Sequence, residues 1–153
     1  MKIATLCYLK HKGKTLFIHR NKREDDLFKD YWNGLGGKLE ANESPEECVI
    51  REMEEETGLT ISNLKMKGIL TIPNDRDSGE TWYIFVFVAI GFEGELEENK
   101  EGELVWVDDD KISTLNIQEA DKHFIKWLEK EKFFSAKFHY KGDELVDQKV
   151  SFY

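Results

Sequence analysis

The sequence predicts an α/β protein of the α+β kind, in which two helices pack on a sheet. Short stretches rich in β-branched and aromatic residues recur along the whole chain, as is typical of strands. One segment carries a full set of helix start and stop signals, and a later one has apolar residues at helical spacing. The length of 153 residues is common for one domain, and no linker or repeat divides the sequence. Residues 1–153 are therefore predicted to form a single domain.

Seven segments are predicted as strands. Residues 11–14 are typical of a hairpin turn between the first two, and the last two are predicted to form a closing hairpin. Residues 80–90 are so continuously apolar that this strand is expected at the centre of the sheet. The charged residues 21–30 lack periodicity and are predicted to be a mobile loop. The predicted strands cover residues 3–9, 15–19, 67–72, 80–90, 104–107, 133–140 and 145–153.

Two segments are predicted as helices. In the first, Ser44 can cap a helix over residues 45–57, Glu47 completes a capping box, and Gly58 provides the stop. The second covers residues 118–129 and is expected to pack on the sheet through one apolar face. That face consists of Phe124, Trp127 and Leu128.

The charge balance and the cysteines exclude several function classes. The formal net charge is −9, which argues against binding to an anionic membrane surface and against a stable complex with nucleic acid. Cys7 and Cys48 lie far apart without metal-ligand spacing, so neither a disulfide framework nor a zinc site is predicted. No apolar run is long enough for a signal peptide or a membrane span, and the expected location is the cytoplasm.

The first helix carries a cluster of carboxylates. At about 100° per residue, Glu52, Glu55 and Glu56 share one face, and like charges at this spacing repel each other. Divalent cations would resolve the repulsion, and ligands that are all oxygen suit Mg²⁺ or Mn²⁺. The alternative is a solvated acidic face steadied by Arg51 together with Glu47 or Glu55.

The residues around this helix resemble the Nudix hydrolase family. All required positions of the Nudix box are filled, by Gly37, Glu43, Arg51, Glu52, Met53, Glu55, Glu56, Gly58 and Leu59. The resemblance implies an α/β/α sandwich with a mixed sheet, in which the box forms a loop-helix-loop. It also implies an enzyme that uses Mg²⁺, or alternatively Mn²⁺, to hydrolyse a nucleoside polyphosphate.

The same resemblance implies roles for individual residues. Arg51 would orient a carboxylate and Glu43 would support the loop. Glu101 matches the place of an additional ligand or base in MutT-like members, with a solvated loop acid as the alternative. The metal ligands would be the Gly37 carbonyl and the carboxylates of Glu52, Glu55 and Glu56.

Residues 32–38 resemble the matching stretch of the MutT-type 8-oxo-dGTP diphosphatases, including the MutX branch. The Asn33 amide can both donate and accept, so it can read a purine edge, and oxidised guanine presents an N7 donor where guanine has an acceptor. The alternative is an asparagine that serves the turn before Gly34. Lys38 in this stretch is a further candidate substrate contact.

A second match lies at residues 115–121, where the family often has an aromatic residue followed by acids that contact the base. Glu119 and Asp121 are the candidate base contacts, with stabilisation of a helix N-terminus as the alternative. This chain departs from the family pattern because Gln118 stands where tryptophan is usual, which weakens stacking on the base. Arg23 is a candidate phosphate contact or a solvated loop charge. The final hairpin resembles the ending of the MutX branch.

The predicted reaction is therefore hydrolysis of 8-oxo-dGTP to 8-oxo-dGMP and pyrophosphate by a monomer or homodimer. Another Nudix substrate is the first alternative: ADP-ribose, a dinucleoside polyphosphate or a capped RNA end. Pro73 favours ADP-ribose weakly, because ADP-ribose hydrolases tend to carry a proline after the box. A noncatalytic nucleotide-binding regulator of the same fold is the second alternative, although such members usually lose box carboxylates.

Overall fold

The structure is a computed structural model that describes residues 1–73 and 79–153. Its strands are β1 (Lys2–His11), β2 (Lys14–His19), β3 (Trp32–Asn33), β4 (Thr60–Pro73), β5 (Thr81–Glu93), β6 (Glu103–Asp108), β7 (Phe134–Lys141) and β8 (Glu144–Phe152). Its α-helices are α1 (Pro45–Thr57) and α2 (Glu119–Phe124), and 3₁₀ turns cover Asp109–Thr114 and Ile125–Glu129. No helix in these two ranges is long and apolar enough to cross a membrane.

The strands form one mixed sheet. Its order is β3-β2-β1-β5-β4-β7-β8, and β6 pairs separately with β2. Strand β1 runs parallel to β5 and β4 runs parallel to β7, while the other neighbours are antiparallel. The expectation that the most apolar strand is central is confirmed, because β5 lies between β1 and β4.

The helices pack on opposite faces of the sheet, as expected for an α/β/α sandwich. Side chains of a strand alternate between its faces, so Cys7 and Tyr8 of β1 enter different cores. Val49 of α1 packs in the core that contains Cys7. Phe124 of α2 packs in the core that contains Tyr8. Both cysteines, at positions 7 and 48, are buried free thiols.

The signals predicted for α1 are all used. The Ser44 hydroxyl accepts from the Glu47 backbone N–H at 3.1 Å, and the Glu47 carboxylate accepts from the Ser44 N–H at 2.9 Å. Gly58 ends the helix at a φ of 79°, a left-handed conformation that glycine adopts without strain. The predicted limits of this helix, residues 45–57, are confirmed.

The second predicted helix is shorter than expected. An α-helix over all of residues 118–129 is wrong, because the chain tightens into the 3₁₀ turn Ile125–Glu129 after α2. Its expected packing holds, since Phe124 and Leu128 are buried and Trp127 packs edge-on against Phe134. Strand β4 begins at Thr60, seven residues earlier than predicted, because antiparallel pairing with β5 extends it through a polar stretch.

Candidate active site

The loop before α1 approaches both the sheet and the helix closely. The Thr5 N–H donates to the Gly37 carbonyl at 2.8 Å, which attaches the loop to β1. A Cβ atom on Gly36 would lie 2.1 Å from the Thr5 carbonyl oxygen, and one on Gly37 would lie 2.4 Å from Cδ of Glu52. Position 36 therefore requires glycine, because its nearest neighbour is backbone, whereas a side chain at Gly37 would displace the Glu52 carboxylate, which lies directly against the loop backbone.

Arg51 links this loop to the carboxylates of α1. Its Nε and Nη2 donate to the two oxygens of Glu43 at 2.6 and 2.9 Å, and Nη2 also donates to the Lys38 carbonyl at 3.1 Å. Its Nη1 donates to Glu52 at 2.9 Å and to Glu55 at 3.3 Å. The hydrogen bonds from Arg51 lower the pKa of Glu43 to about 2, so Glu43 stays ionised.

Glu56 lies deeper than its neighbours. Its carboxylate accepts from the Gly36 N–H at 3.1 Å, and burial, reinforced by the charge of Glu52, raises its pKa to about 8. The loop before β6 is tied to the same turn, because Asn99 Nδ2 donates to the Glu56 carbonyl at 3.1 Å. Asn99 Oδ1 in turn accepts from the Glu101 N–H at 2.8 Å, which holds Glu101 over the end of α1.

The side chains of Glu52, Glu55, Glu56 and Glu101 line one open cavity of about 470 Å³, which we call the acidic cavity. Carboxylate and carbonyl oxygens are the donors that Mg²⁺ prefers, and Mg²⁺ usually takes only one or two protein carboxylates. Within residues 1–73 and 79–153, no group of three Asp, Glu, His or Cys side chains lies close enough together to hold a metal ion without rearrangement. The acidic cavity is lined by Arg20, Gly36, Glu52, Glu55, Glu56, Glu98, Asn99, Lys100 and Glu101.

A second cavity, of about 280 Å³, lies between the sheet and α2, and we call it the apolar cavity. Most of its lining is hydrocarbon, and its polar side chains are those of Arg20, Asn33, Gln118, Asp121 and Tyr140. Burial raises the pKa of Asp121 to about 7. The apolar cavity is lined by Leu6, Arg20, Phe28, Asn33, Gly34, Leu70, Ile72, Trp82, Ile84, Gln118, Ala120, Asp121, Phe124 and Tyr140.

Arg20, the residue directly after β2, lines both cavities. Its Nη2 lies 3.1 Å from Glu101 Oε2, and its Nε donates to Asp26 at 2.7 Å. The two carboxylates hold a positive charge at the junction of the apolar and acidic cavities. An anion that entered both cavities would pass this guanidinium.

Comparison with known proteins gives consistent results. The NUDIX domain model matches residues 2–128. The chain belongs to the Nudix family. It is 36% identical over 130 residues to the uncharacterized Nudix hydrolase YvcI of Bacillus subtilis, and this match covers 83% of this chain and 78% of YvcI. It is 31% identical over 150 residues to the oxidized purine nucleoside triphosphate hydrolase of Danio rerio, which covers 97% and 94% of the two chains.

Solved structures and further relatives agree on the family but carry mixed names. The crystal structure of a MutT protein from Bacillus halodurans matches with a TM-score of 0.86 and 32% identity, over 98% of this chain and 97% of that one. An ADP-ribose pyrophosphatase of Methanocaldococcus jannaschii is 30% identical over 109 residues, which covers 69% of this chain and 64% of that protein. This Nudix protein is therefore a pyrophosphohydrolase, and its family acts on nucleotide substrates with divalent metal ions.

The Nudix fold brings together most of the residues selected from the sequence. The acidic cavity contains the three helix glutamates and Glu101. The apolar cavity contains Asn33, Asp121 and Gln118. The Lys38 ammonium lies 5.5 Å from the ring centre of Trp82, a residue that lines the apolar cavity.

Two of the selected residues lie away from both cavities of the Nudix site. Arg23 pairs with Asp25 at 3.3 Å in the loop that follows β2, and both side chains are exposed. Glu119 pairs with Lys122 at 2.8 Å on the exposed side of α2. The alternative of a solvated loop charge fits Arg23, and the position of Glu119 in the first turn of α2 fits the alternative of an acid that stabilises a helix N-terminus.

Sequence reasoning missed three residues of this site. Arg20 and Trp82 line the cavities, and Tyr8 lies behind the wall of the apolar cavity. Arg20 follows directly after the predicted strand 15–19, where a side chain often faces a site at the edge of a sheet. Nothing local in the sequence distinguishes Trp82 or Tyr8 from ordinary strand residues.

Proposed function

We propose that this Nudix enzyme hydrolyses a nucleoside triphosphate that carries an oxidised purine, with 8-oxo-dGTP as the first candidate, to the monophosphate and pyrophosphate. The main support is that the apolar cavity meets the acidic cavity at Arg20. The apolar cavity has the size of a base, and Asn33 and Asp121 in its lining can form hydrogen bonds with one. A nucleotide could place its base in the first and its phosphates in the second. Water would add to phosphorus, and a P–O bond of the phosphate chain would break.

For the metal we propose Mg²⁺, with Mn²⁺ as an alternative. Its ligands would come from the Gly37 carbonyl and from Glu52, Glu55 and Glu56, whose oxygens fit a hard cation. Bound there, the ion would neutralise the phosphates and lower the pKa of a bound water. Arg51 would fix the orientation of two of these ligands, because it binds one oxygen of Glu52 and one of Glu55.

The remaining charged groups would position the phosphates and the water. Arg20 is held by Glu101 and Asp26 within reach of an anion at the junction of the cavities. Glu101 is the proposed further ligand or base, since its backbone is fixed through Asn99 over the end of α1. Lys38, beside Trp82, is a proposed contact for the negative substrate.

Base recognition is proposed to rest on Asn33 and Asp121. Both line a largely apolar cavity. A base whose polar edge stays unpaired there loses binding free energy, so a base with matching donors and acceptors binds better. Gln118 lies in the wall without an aromatic ring, whereas Trp82 supplies a ring from β5. Trp82 is therefore the proposed stacking surface in place of the residue at position 118.

Other Nudix substrates remain the alternative, led by ADP-ribose because relatives of both names match the chain. Pro73 is the last residue of β4 and follows Ile72, which lines the apolar cavity. This position of Pro73 is compatible with either substrate. A dinucleoside polyphosphate and a capped RNA end are weaker alternatives. A noncatalytic regulator is disfavoured because the box keeps every carboxylate.

A nucleotide panel tests the proposal. Initial rates would be measured at one Mg²⁺ concentration with 8-oxo-dGTP, dGTP, ADP-ribose and a diadenosine polyphosphate, with products separated by chromatography. We expect the highest kcat/KM for 8-oxo-dGTP and release of pyrophosphate. A higher kcat/KM for ADP-ribose would replace the proposed substrate, and release of orthophosphate would reject the proposed bond cleavage.

Three proposals concern the whole protein. We propose that residues 1–153 form one domain, because one sheet runs from β1 to β8. We propose a cytoplasmic monomer or homodimer that forms no stable complex with nucleic acid or a membrane, in line with the net charge of −9. Sedimentation of the purified chain, alone, with DNA and with anionic vesicles, tests the oligomeric state and the absence of such complexes.

A further inference from the structure

The Tyr8 hydroxyl lacks a hydrogen-bond partner. Tyr8 is 1% exposed, and its hydroxyl is the one buried side-chain nitrogen or oxygen without a partner among residues 1–73 and 79–153. A buried hydroxyl that loses water without gaining a partner destabilises the fold, so such a group calls for an explanation. Phenylalanine at this position would fill nearly the same space without that cost.

The hydroxyl is placed behind the wall of the apolar cavity. Tyr8 lies on the same face of β1 as Leu6, which lines the cavity. The Cζ atom, which carries the hydroxyl, would lie 3.0 Å from a Cβ atom on Gly34, and the ring packs edge-on against Phe124. Gly34 and Phe124 both belong to the cavity wall, so the phenol end of Tyr8 is directed at it.

Asp121 lines the same cavity and lies one turn of α2 before Phe124, the residue that packs against the Tyr8 ring. Burial, and after it the charge of Asp121, raises the pKa of Tyr8 well above its ordinary value. Burial also raises the pKa of Asp121 to about 7. The cavity therefore has a carboxyl group in its lining and an unused hydroxyl donor behind it.

We propose that Tyr8 is a positioning residue for base recognition, whose hydroxyl donates to the Asp121 carboxylate when a purine fills the apolar cavity. The proposal rests on the proposed function, since it takes Asp121 as a base reader. With one oxygen held by Tyr8, the other accepts from the base. The pair thus selects a purine edge that presents an N–H donor, and it disfavours a base with an acceptor there.

The first test is Tyr8→Phe, which keeps the ring and removes the hydroxyl. Assays at pH 8, where most Asp121 is ionised, should show KM for 8-oxo-dGTP raised at least about five-fold, with kcat changed less than about two-fold. The melting temperature should stay equal or rise, because an unpaired buried hydroxyl is lost. Tyr83→Phe, on β5 and outside both cavities, is the matched control and should change nothing. An unchanged KM in Tyr8→Phe overturns the proposal.

The second test is a double-mutant cycle with Asp121→Ala, which removes both acceptor oxygens, read from the calorimetric affinity for 8-oxo-dGMP so that turnover is not needed. If Tyr8 acts through Asp121, Tyr8→Phe should weaken binding in the wild-type background and have no effect in Asp121→Ala. Equal effects in both backgrounds overturn the proposal. Failure of the proposed function has a different result: the wild-type protein then shows no preference for 8-oxo-dGMP over dGMP, whatever the cycle gives.

Discussion

Arg51 and Glu43 form a two-point ion pair, with Nε–Oε2 at 2.6 Å and Nη2–Oε1 at 2.9 Å, that joins α1 to the loop before it. The same guanidinium also reaches Glu52 and Glu55. A single side chain thus fixes the loop that carries Gly37 and the orientation of two carboxylates. The acidic cavity depends on this planar, five-donor group.

Arg51→Lys should therefore damage the site although it preserves charge. An ammonium group cannot make the paired bonds to Glu43 and still reach Glu52, so the carboxylates lose their fixed geometry. We expect kcat/KM to fall at least about ten-fold, with a circular dichroism spectrum like that of the wild type. Arg23→Lys, in the exposed loop, is the control and should keep full activity. Equal activity of the two variants would show that the network is not needed.

Glu56→Gln should separate catalysis from folding. The amide keeps the shape and can still accept from the Gly36 N–H, but it cannot ionise to hold a cation as a carboxylate does. We expect turnover with Mg²⁺ to fall at least about 10²-fold. The melting temperature at pH 8 should be kept or raised, because burial raises the pKa of Glu56 to about 8 and the amide removes the cost of ionising it. Glu54→Gln, on the same helix but outside the acidic cavity, should retain activity. Full activity of Glu56→Gln contradicts the proposed metal site.

Asn33→Ala should affect base preference more than hydrolysis. Asn33 lines the apolar cavity and lies outside the acidic one, so its loss removes a contact to the base. We expect a higher KM for 8-oxo-dGTP and a smaller ratio of kcat/KM between 8-oxo-dGTP and dGTP, with kcat less affected. A uniform loss across purine and pyrimidine nucleotides would assign Asn33 to the loop structure instead.

How much of the fold could be predicted depends on whether the signal is local. The limits of α1 follow from Ser44, Glu47 and Gly58, which act within one or two turns. The two-residue strand β3 was missed because it is too short to carry a pattern and exists through pairing with β2. The short α2 was overestimated because the apolar spacing continues into the 3₁₀ turn that follows it.

The same distinction applies to the site. The acidic face of α1 could be read from helical spacing, because Glu52, Glu55 and Glu56 are close in the sequence. Arg20 and Tyr8 join the site only through the sheet and α2, from positions about a hundred residues from Asp121. The spacing of residues in a sequence carries no information on such long-range contacts. The junction of the two cavities and the unpaired Tyr8 hydroxyl could therefore be found only from the structure.

Trp82→Leu should weaken nucleotide binding if this ring is the stacking surface. The ring lines the apolar cavity opposite α2, and Gln118 offers no aromatic surface there. We expect KM for 8-oxo-dGTP to rise about ten-fold, since stacking of a base on an aromatic ring is worth about 1–3 kcal/mol. Trp106→Leu, a half-buried tryptophan of β6 outside both cavities, controls for the loss of a large ring. Similar effects of both changes on melting temperature, with KM unchanged, would exclude stacking on Trp82.

Asp121→Asn should change how stability depends on pH. The pKa of Asp121 is raised by burial from 3.8 to about 7, so between these values the folded chain holds a proton that the unfolded chain has lost. The free energy of unfolding therefore falls as pH rises through this window, and the cost is complete above pH 7. Asparagine does not titrate, so the variant should match the wild type near pH 4 and be more stable at pH 8. The upper limit of the gain is about 4 kcal/mol, since one pKa unit corresponds to about 1.4 kcal/mol. Urea unfolding of both proteins at pH 4, 6 and 8 gives the answer, and a difference that does not grow with pH would show that Asp121 is ionised at no cost in the fold.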